Sequence, residues 1–446
     1  MKVLLFNSPI YKFHSEIEEK YLPPLGLAYI ATRLNMDGIY VKIVDCVNEH
    51  YGIKEIFDIL EIEKPDYIGF NIFTQNYEIV KEVVENCPIQ VKILIGGQVV
   101  KCIYNDILQW DVANSMIIIV GEGELIIPDI VQNRCFEKPI ANKNNSLVYK
   151  VDNNSSYFPN DLNSVHIKRS LLENDIYTNH YGQMEASIIT SRGCPYNCAF
   201  CGGAHTLNKD ITIRYRTIDD ISNEINEILL LHKDVSSIRV LDDLFLRNNQ
   251  SINDAITLFS SYPKLTWRGM AHILSFDQTN DNTLYQLQQS GCRELFFGIE
   301  SGSKRIRKKI NKMGSSEQII KVISSLLEVG IDVKGYFMFG FPGETTEDAD
   351  ETVDLAQQLC SIANKTKNRF RLSVFQFRPY HGTKLYNDIV SKGITIPSIT
   401  TNENLNIFEQ RTQFNFQSGN YSNIEDNRLN EYIINTQKLS ERNKNV

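Results

Sequence analysis

The sequence predicts an α/β chain with two parallel-sheet units, an N-terminal doubly wound sheet followed by a partial (β/α)6 barrel. Three observations carry this. Over the first 135 residues, short apolar runs of strand length alternate with amphipathic helical runs, the pattern of a parallel sheet covered on both faces. From about residue 185 the alternation resumes and completes six strand–helix units. The chain is 446 residues long, more than one hydrophobic core commonly serves.

In order along the first unit, "KVLLFNSP" reads as a buried strand ending in a proline turn, and "LGLAYIATRLNMDG" as a helix closed by Gly38. "YVKIVDC", "DYIGFNIF", "VKILIGG" and "MIIIVGEGE" read as further strands, with "IKEIFDILEIEK" and "NYEIVKEVVENC" as helices between them. Sheets of this kind bind ligands beyond the carboxyl ends of their strands. The turns expected there are Asn7–Pro9, Thr74–Asn76, Gly96–Gln98 and Gly121–Glu124.

Residues 136–182 are Asn- and Ser-rich and read as a linker with a hairpin inside it. The second unit, 183–392, places strands at "ASIITS", "SIRVLDD", "LTWRGMA", "ELFFGIE", "VKGYFMFG" and "RLSVFQF". Barrel chemistry sits at the carboxyl ends of such strands. Residues 393–446 are Asn-rich and helical only near their end, a cap or tail.

Composition excludes several classes. Hydrophobic residues make up 42% and charged residues 22%, a globular mix. The formal net charge of −8 argues against an extended nucleic-acid footprint. No apolar run reaches the length of a membrane span, and no signal-peptide core follows Met1. A cytoplasmic, reducing location is therefore expected. There, clustered cysteines read as metal ligands or catalysts before disulfides. Cys46, Cys87, Cys102, Cys135, Cys292 and Cys360 stand alone in the sequence and read as small core residues.

Three of the nine cysteines fall within eight residues of "SRGCPYNCAFCGGA", at Cys194, Cys198 and Cys201. Three thiolates on one loop suit a 4Fe–4S cluster whose fourth iron takes a small molecule. With His205 four residues on, the same thiols also suit zinc, although structural zinc sites usually show two separated ligand pairs.

"CPYNCAFC" resembles the signature of the radical SAM superfamily, with Phe200 as the aromatic before the last cysteine. "VLDDLFL" (Asp242, Asp243), "GCRELFFGIESGS" (Glu300, Ser301), "FMFGFPGET" (from Gly340) and "FRPYHGTKLY" resemble later strand ends of that superfamily. "LPPLGLAYIATRL", "GGQ" and "VGEGE" resemble the N-terminal cobalamin-binding-type, Rossmann-like domain of one branch. The resemblance covers residues 1–390.

It implies that the three cysteines hold a 4Fe–4S cluster, and that S-adenosylmethionine chelates the open iron and is cleaved to a 5′-deoxyadenosyl radical. It implies S-adenosylmethionine contacts at Phe200, Gly202, Gly203, Asp242, Glu300, Ser301 and Gly340. It implies a cobalamin wall of Pro24, Leu25, Gly26, Thr74, Gly96, Gly97, Gln98, Gly121, Glu122 and Gly123. A flavodoxin- or ferredoxin-type electron donor follows from the same resemblance.

Each piece also has a physical reading. Gly202 and Gly203 let backbone approach a ligand, or simply make a tight turn. Adjacent Asp242 and Asp243 diverge, so at most one enters the barrel. Glu300, in an apolar strand, is costly to bury without a partner.

The sequence departs from the branch pattern in places. It lacks the Asp-x-His-x-x-Gly motif that supplies a cobalt ligand; His14 follows in the next loop, and a lone loop histidine is more often solvated. Gln98 stands where relatives often have Pro-His. His272 and His381 stand where relatives often have Arg and Pro, and are the candidates for proton transfer beside a plain hydrogen-bonding role. "SKRIRKKINKMG" packs six basic residues between Lys304 and Lys312 and reads as a solvated helix face before a phosphate or RNA site.

The leading expectation is hydrogen abstraction from an organic small-molecule or peptide substrate, then methyl transfer from methylcobalamin. The alternatives are a cobalamin-independent dehydratase, epimerase or rearrangement enzyme, and a non-catalytic iron–sulfur or zinc module. A tRNA-methylthiolating relative usually carries a further cluster, whereas the four N-terminal cysteines here are dispersed. No motif specifies the substrate.

Overall fold

The computed structural model describes residues 1–10, 22–397 and 419–442; His14 lies outside them. The first unit runs β1 (Lys2–Asn7), α1 (Leu25–Met36), β2 (Tyr40–Asp45), α2 (Ile53–Glu63), β3 (Tyr67–Asn71), α3 (Tyr77–Glu85), β4 (Lys92–Gly96), α4 (Val100–Ile107), β5 (Met116–Gly121), α5 (Ile126–Val131), β6 (Ala141–Lys143) and β7 (Ser146–Val151). Its sheet has the order β2-β1-β3-β4-β5-β7-β6.

Both faces of that sheet are buried, which is why its strands are continuously apolar. Val3 and Leu5 of β1 pack into one core with α1 and α5, while Leu4 and Phe6 pack into another with α2 to α4. The order reverses beside β1, with β2 on one side and β3 on the other. The crevice beyond that point is where doubly wound sheets take ligands.

Residues 136–182 are not a linker. The hairpin β6–β7 extends the first sheet, with β7 parallel to β5. Tyr157, Phe158, Leu162, Val165, Ile167 and Leu172 then pack into the first unit's core. Their apolar spacing follows neither a helix nor a strand period, so composition alone makes the segment look unstructured.

The second unit follows as β8 (Ile176–Thr178), β9 (Met184–Ile188), β10 (Ser191–Arg192), β11 (Arg214–Tyr215), α6 (Ile218–Leu231), β12 (Val235–Val240), α7 (Asn249–Ser260), β13 (Thr266–Ala271), α8 (Asp281–Gln289), β14 (Cys292–Glu300), α9 (Lys304–Lys309), α10 (Ser316–Glu328), β15 (Asp332–Phe339), α11 (Thr346–Ala363), β16 (Phe370–Gln376), α12 (Lys384–Val390) and α13 (Asp426–Arg442). The sheet order is β16-β15-β14-β13-β12-β9-β8, and only β8 is antiparallel.

On one face Ile238, Trp267, Leu295, Val333 and Leu372 join the helices in a single core. On the other face Arg268 of β13 bonds Glu185 of β9 and Glu294 of β14, and Arg371 of β16 bonds Glu294. Two of these pairs reach past an intervening strand, β12 or β15. Strands lie about 4.8 Å apart, so such reach fits a concave face, the inside of a half-barrel.

The tail does not cap the barrel mouth through its helix. α13 lies along the open edge: Val374 N–H donates to Gln437 Oε1 at 3.0 Å, and Gln437 Nε2 donates to Leu372 O at 3.2 Å. These bonds occupy an edge strand that would otherwise offer free backbone groups. Among the described residues no helix is long and apolar enough to cross a membrane.

Candidate active site

The carboxyl ends of both sheets open on one cavity of about 1030 Å³. Pockets for single drug-sized ligands run roughly 300–1,000 Å³, so this one has room for more than one molecule.

The cysteine loop forms the wall on the barrel side. It leaves β9, and its two ends are drawn together by the β10–β11 ladder. Asp242, at the end of β12, holds its start: it accepts from Thr190 N–H at 2.6 Å, Thr190 Oγ1 at 2.5 Å and Ser191 Oγ at 2.6 Å. The loop's middle is tied from below, with Ala199 N–H donating to Ile310 O at 2.8 Å and Leu385 N–H to Ala199 O at 2.9 Å.

Cys194, Cys198 and Cys201 all line the cavity, as do Phe200 and Gly202. Burial pushes all three thiols up, Cys201 to about 12. Without a cation they are neutral; bound metal reverses that preference. Gly203 N–H donates to Cys201 Sγ at 3.3 Å, a bond suited to a thiolate ligand. Among the described residues no three His, Cys, Asp or Glu side chains gather around a single-ion site, and His205 is exposed. Three thiols of one loop, all on the cavity wall, suit a cluster whose irons take one thiolate each. The donor set therefore fits a cluster.

The paired aspartates divide otherwise than expected. Asp242 is buried and fully engaged, away from the cavity; Asp243 faces into it and accepts from Gly193 N–H at 3.2 Å. Asp243 is open to the cavity yet enclosed by protein, and desolvation raises its carboxyl.

Glu300 lines the cavity at a register shift between β14 and β15, where its φ is 66°. Lys312 Nζ meets it at 3.3 Å. Burial raises the Glu300 carboxyl, with Lys312 opposing the rise.

Three other expected contacts turn away. Ser301 bonds Thr352 Oγ1 at 3.0 Å behind the sheet. Gly340 sits against Leu429 of α13. Gly203 touches Cys201 and Asp243 but does not itself line the cavity.

Both candidate histidines reach the wall. His272 Nδ1 accepts from Leu274 N–H at 3.2 Å, and the ring stacks on Tyr196 with centroids 4.0 Å apart. Burial lowers its pKa to about 3, which favours the neutral imidazole, and the ring packs on the cysteine loop through Tyr196. His381 Nδ1 lies 3.1 Å from Thr74 Oγ1, across the boundary between the units; burial lowers its pKa too.

The first unit supplies the facing wall. Pro24 and Gly26, at the start of α1, line it, while the Leu25 side chain packs into the core behind. Thr74 follows β3; Gly96, Gly97 and Gln98 follow β4; Gly121, Glu122 and Gly123 follow β5. Gly97 and Gly121 have φ of 120° and 110°. A Cβ there would stand 2.4 Å from Ile72 backbone and 2.1 Å from Val151 O, so only glycine lets these turns pack against their neighbouring segments. At Gly26 and Gly96, which also line the cavity, a Cβ would meet nothing within 4 Å, and that open space fits a large cofactor.

Gln98 closes the distance between the walls: a Cβ on Gly202 would lie 2.6 Å from Gln98 Nε2. Arg192, two residues before Cys194, bonds Glu122 and Glu124 and lies over the Tyr29 ring. Arg192, Asp243 and Lys312 are the site residues missed in the sequence. Arg192 carries no local signal, Asp243 differs from its neighbour only in direction, and Lys312 is hidden in the basic run.

Known proteins match this architecture. Residues 188–356 match the Radical SAM superfamily, and residues 19–131 match the B12 binding domain. An uncharacterized methyltransferase of Pyrococcus horikoshii is 26% identical, over 89% of this chain and 84% of its own. The cytidylyl-2-hydroxyethylphosphonate methyltransferase of Streptomyces wedmorensis is 23% identical, over 89% and 83%. Among solved structures, the radical S-adenosylmethionine methyltransferase TsrM of Kitasatospora setae, with cobalamin and a [4Fe-4S] cluster bound, superposes with TM-score 0.60 at 16% identity over 88% of this chain and 75% of its own. The cobalamin-dependent S-adenosylmethionine radical enzyme OxsB superposes with TM-score 0.62 at 14% identity, over 97% and 65%. At these identities the structures bear on the fold.

Proposed function

The chain is a radical SAM protein that carries a B12-binding domain, and from that premise we propose that it is a cobalamin-dependent methyltransferase acting on an organic small molecule. One observation carries the reading: all three cysteines of the CxxxCxxC loop and the glycine turns of the first sheet face each other across a single cavity.

In this reading Cys194, Cys198 and Cys201 hold the cluster. Asp243, Glu300, Lys312 and Gly202 line the S-adenosylmethionine side, in place of Asp242, Ser301, Gly203 and Gly340. Pro24, Gly26, Thr74, Gly96–Gln98 and Gly121–Gly123 form the corrinoid wall. When bound, the cofactors supply the 5′-deoxyadenosyl radical and the methyl group; the protein supplies orientation and a dry site.

Asp242 fixes where the cysteine loop begins, and Gly203 N–H steadies Cys201. Gln98 holds the two walls at contact distance. The aromatic and apolar lining, including Phe200, Met338 and Phe375, excludes water that would quench a radical.

The test is anaerobic reconstitution with iron, sulfide and hydroxocobalamin, then desalting and a visible spectrum. Cluster absorption with retained corrinoid bands is expected, followed by 5′-deoxyadenosine formation from S-adenosylmethionine. Cluster without corrinoid would replace methyl transfer by dehydration, epimerisation or rearrangement. Zinc in place of iron would remove the radical reading altogether.

A further inference from the structure

The basic run between Lys304 and Lys312 folds as α9 and the turn after it, directly beneath the cysteine loop. Its inner side is apolar: Ile306 and Ile310 pack with Ala199, and Phe200 packs against the same cluster. Besides the bond from Ala199 N–H to Ile310 O, Asn311 Nδ2 donates to Asn197 O at 2.8 Å. The backbone between the first and third cysteines is thus fastened to this helix and its following turn.

The outer side is basic. Lys304, Arg305, Lys308 and Lys309 are exposed, and their spacing puts them on one side of the helix. Arg305 also bonds Asp348 and Gly343 O, and Lys309 donates to Pro342 O, which fixes both in place. Exposed Lys392, after α12, adds to this side: burial first, then Lys392 and Arg305, lower the Lys309 pKa, with Asp388 and Asp348 opposing. This concentration of positive charge occurs on a chain whose net charge is −8.

A solvated helix face accounts for the charges but not for their place. The patch lies on the far side of α9 from the cysteine loop, one helix thickness, ~10 Å, from the backbone that Ile306 and Ile310 pack against. A buried cluster must receive its electron from outside the protein. Resting on the function proposed above, we propose that the outer face of α9, together with Lys392, is the docking surface for an acidic one-electron carrier protein. The carrier gives up one electron and the cluster gains it; no bond is made or broken. Opposite charge steers the encounter, and salt weakens it.

The test uses the full-length reconstituted protein and the double variant Lys304→Glu/Lys308→Glu. S-adenosylmethionine cleavage is driven either by dithionite or by an acidic flavodoxin with its reductase. In the variant, the flavodoxin-driven rate at low salt is expected to fall about tenfold or more, with the dithionite-driven rate and iron content unchanged. Salt should lower the wild-type flavodoxin-driven rate toward that of the variant. Lys304→Gln/Lys308→Gln should show a smaller loss in the same direction. An unchanged flavodoxin-driven rate in a variant with normal dithionite activity overturns the docking surface alone. Absence of dithionite-driven cleavage in the wild type overturns the proposed function, and the docking surface with it.

Discussion

Asp242 and Asp243 leave one strand end in opposite directions, and that small divergence separates a structural carboxylate from a cavity-facing one. Asp242 accepts three hydrogen bonds in a buried place. An amide in its position has one acceptor oxygen and a nitrogen that cannot accept. Asp242→Asn is therefore expected to lower stability by about 1–3 kcal/mol, read as a lower urea midpoint. Asp243→Asn should stay within about 0.5 kcal/mol of wild type while reducing 5′-deoxyadenosine formation in the reconstituted protein. Equal loss of stability in both variants would contradict the division. Glu300 and Lys312 make the same point: the strand motif marks Glu300, but its partner is visible only once the turn after α9 is folded back.

At the scale of elements, the turn from β15 into α11 carries an unusual carboxyl. Glu344 is fully buried and accepts from Gly340 and Phe341 N–H. Burial outweighs those two donors, with Asp348 adding to the rise and Arg305 opposing it, and pushes Glu344 from 4.5 to about 8. A carboxyl whose folded pKa is raised binds its proton more tightly folded than unfolded. Its contribution to stability is full below about pH 4.5 and is lost as pH rises toward about 8. Glu344→Gln keeps an acceptor for the two N–H groups without the charge. Denaturant titrations from pH 5 to 8 should show wild type losing stability, by up to a few kcal/mol, along a slope that the variant lacks. Parallel slopes would count against this account.

α9 shows why some elements were legible and others not. The strands β1, β4 and β5 are buried on both faces, so their sequence is apolar throughout and hard to misread. α9 is six residues long and buries little besides Ile306 and Arg307, so its charges dominate the sequence signal. Residues 157–172 have the reverse problem: they are buried, but without a period.

Across the whole molecule, the site exists only where the two units meet. Arg192 is one tie, bonding Glu122 and Glu124 of the first unit from the base of the cysteine loop. Lys101 and Lys150, both meeting Asp210, make another. Arg192→Met leaves two carboxylates facing each other with only Arg214 to hold Glu122. Corrinoid retention after desalting is expected to fall by roughly 10–100-fold, the range seen when supports around a bound group are removed, while iron content stays unchanged. Loss of iron as well would mean that Arg192 holds the cysteine loop itself.

The sequence by itself determined the two parallel-sheet units, the six barrel strands, the loops at their carboxyl ends and the three cysteines. These depend on burial pattern and on the spacing of reactive side chains, both of which are local. Only the tertiary structure decided which aspartate faces the cavity, that Lys312 pairs with Glu300, that residues 136–182 complete the sheets, and that α13 seals an edge. Each of these depends on the direction of a side chain or on contact between distant segments, which the one-dimensional pattern does not encode.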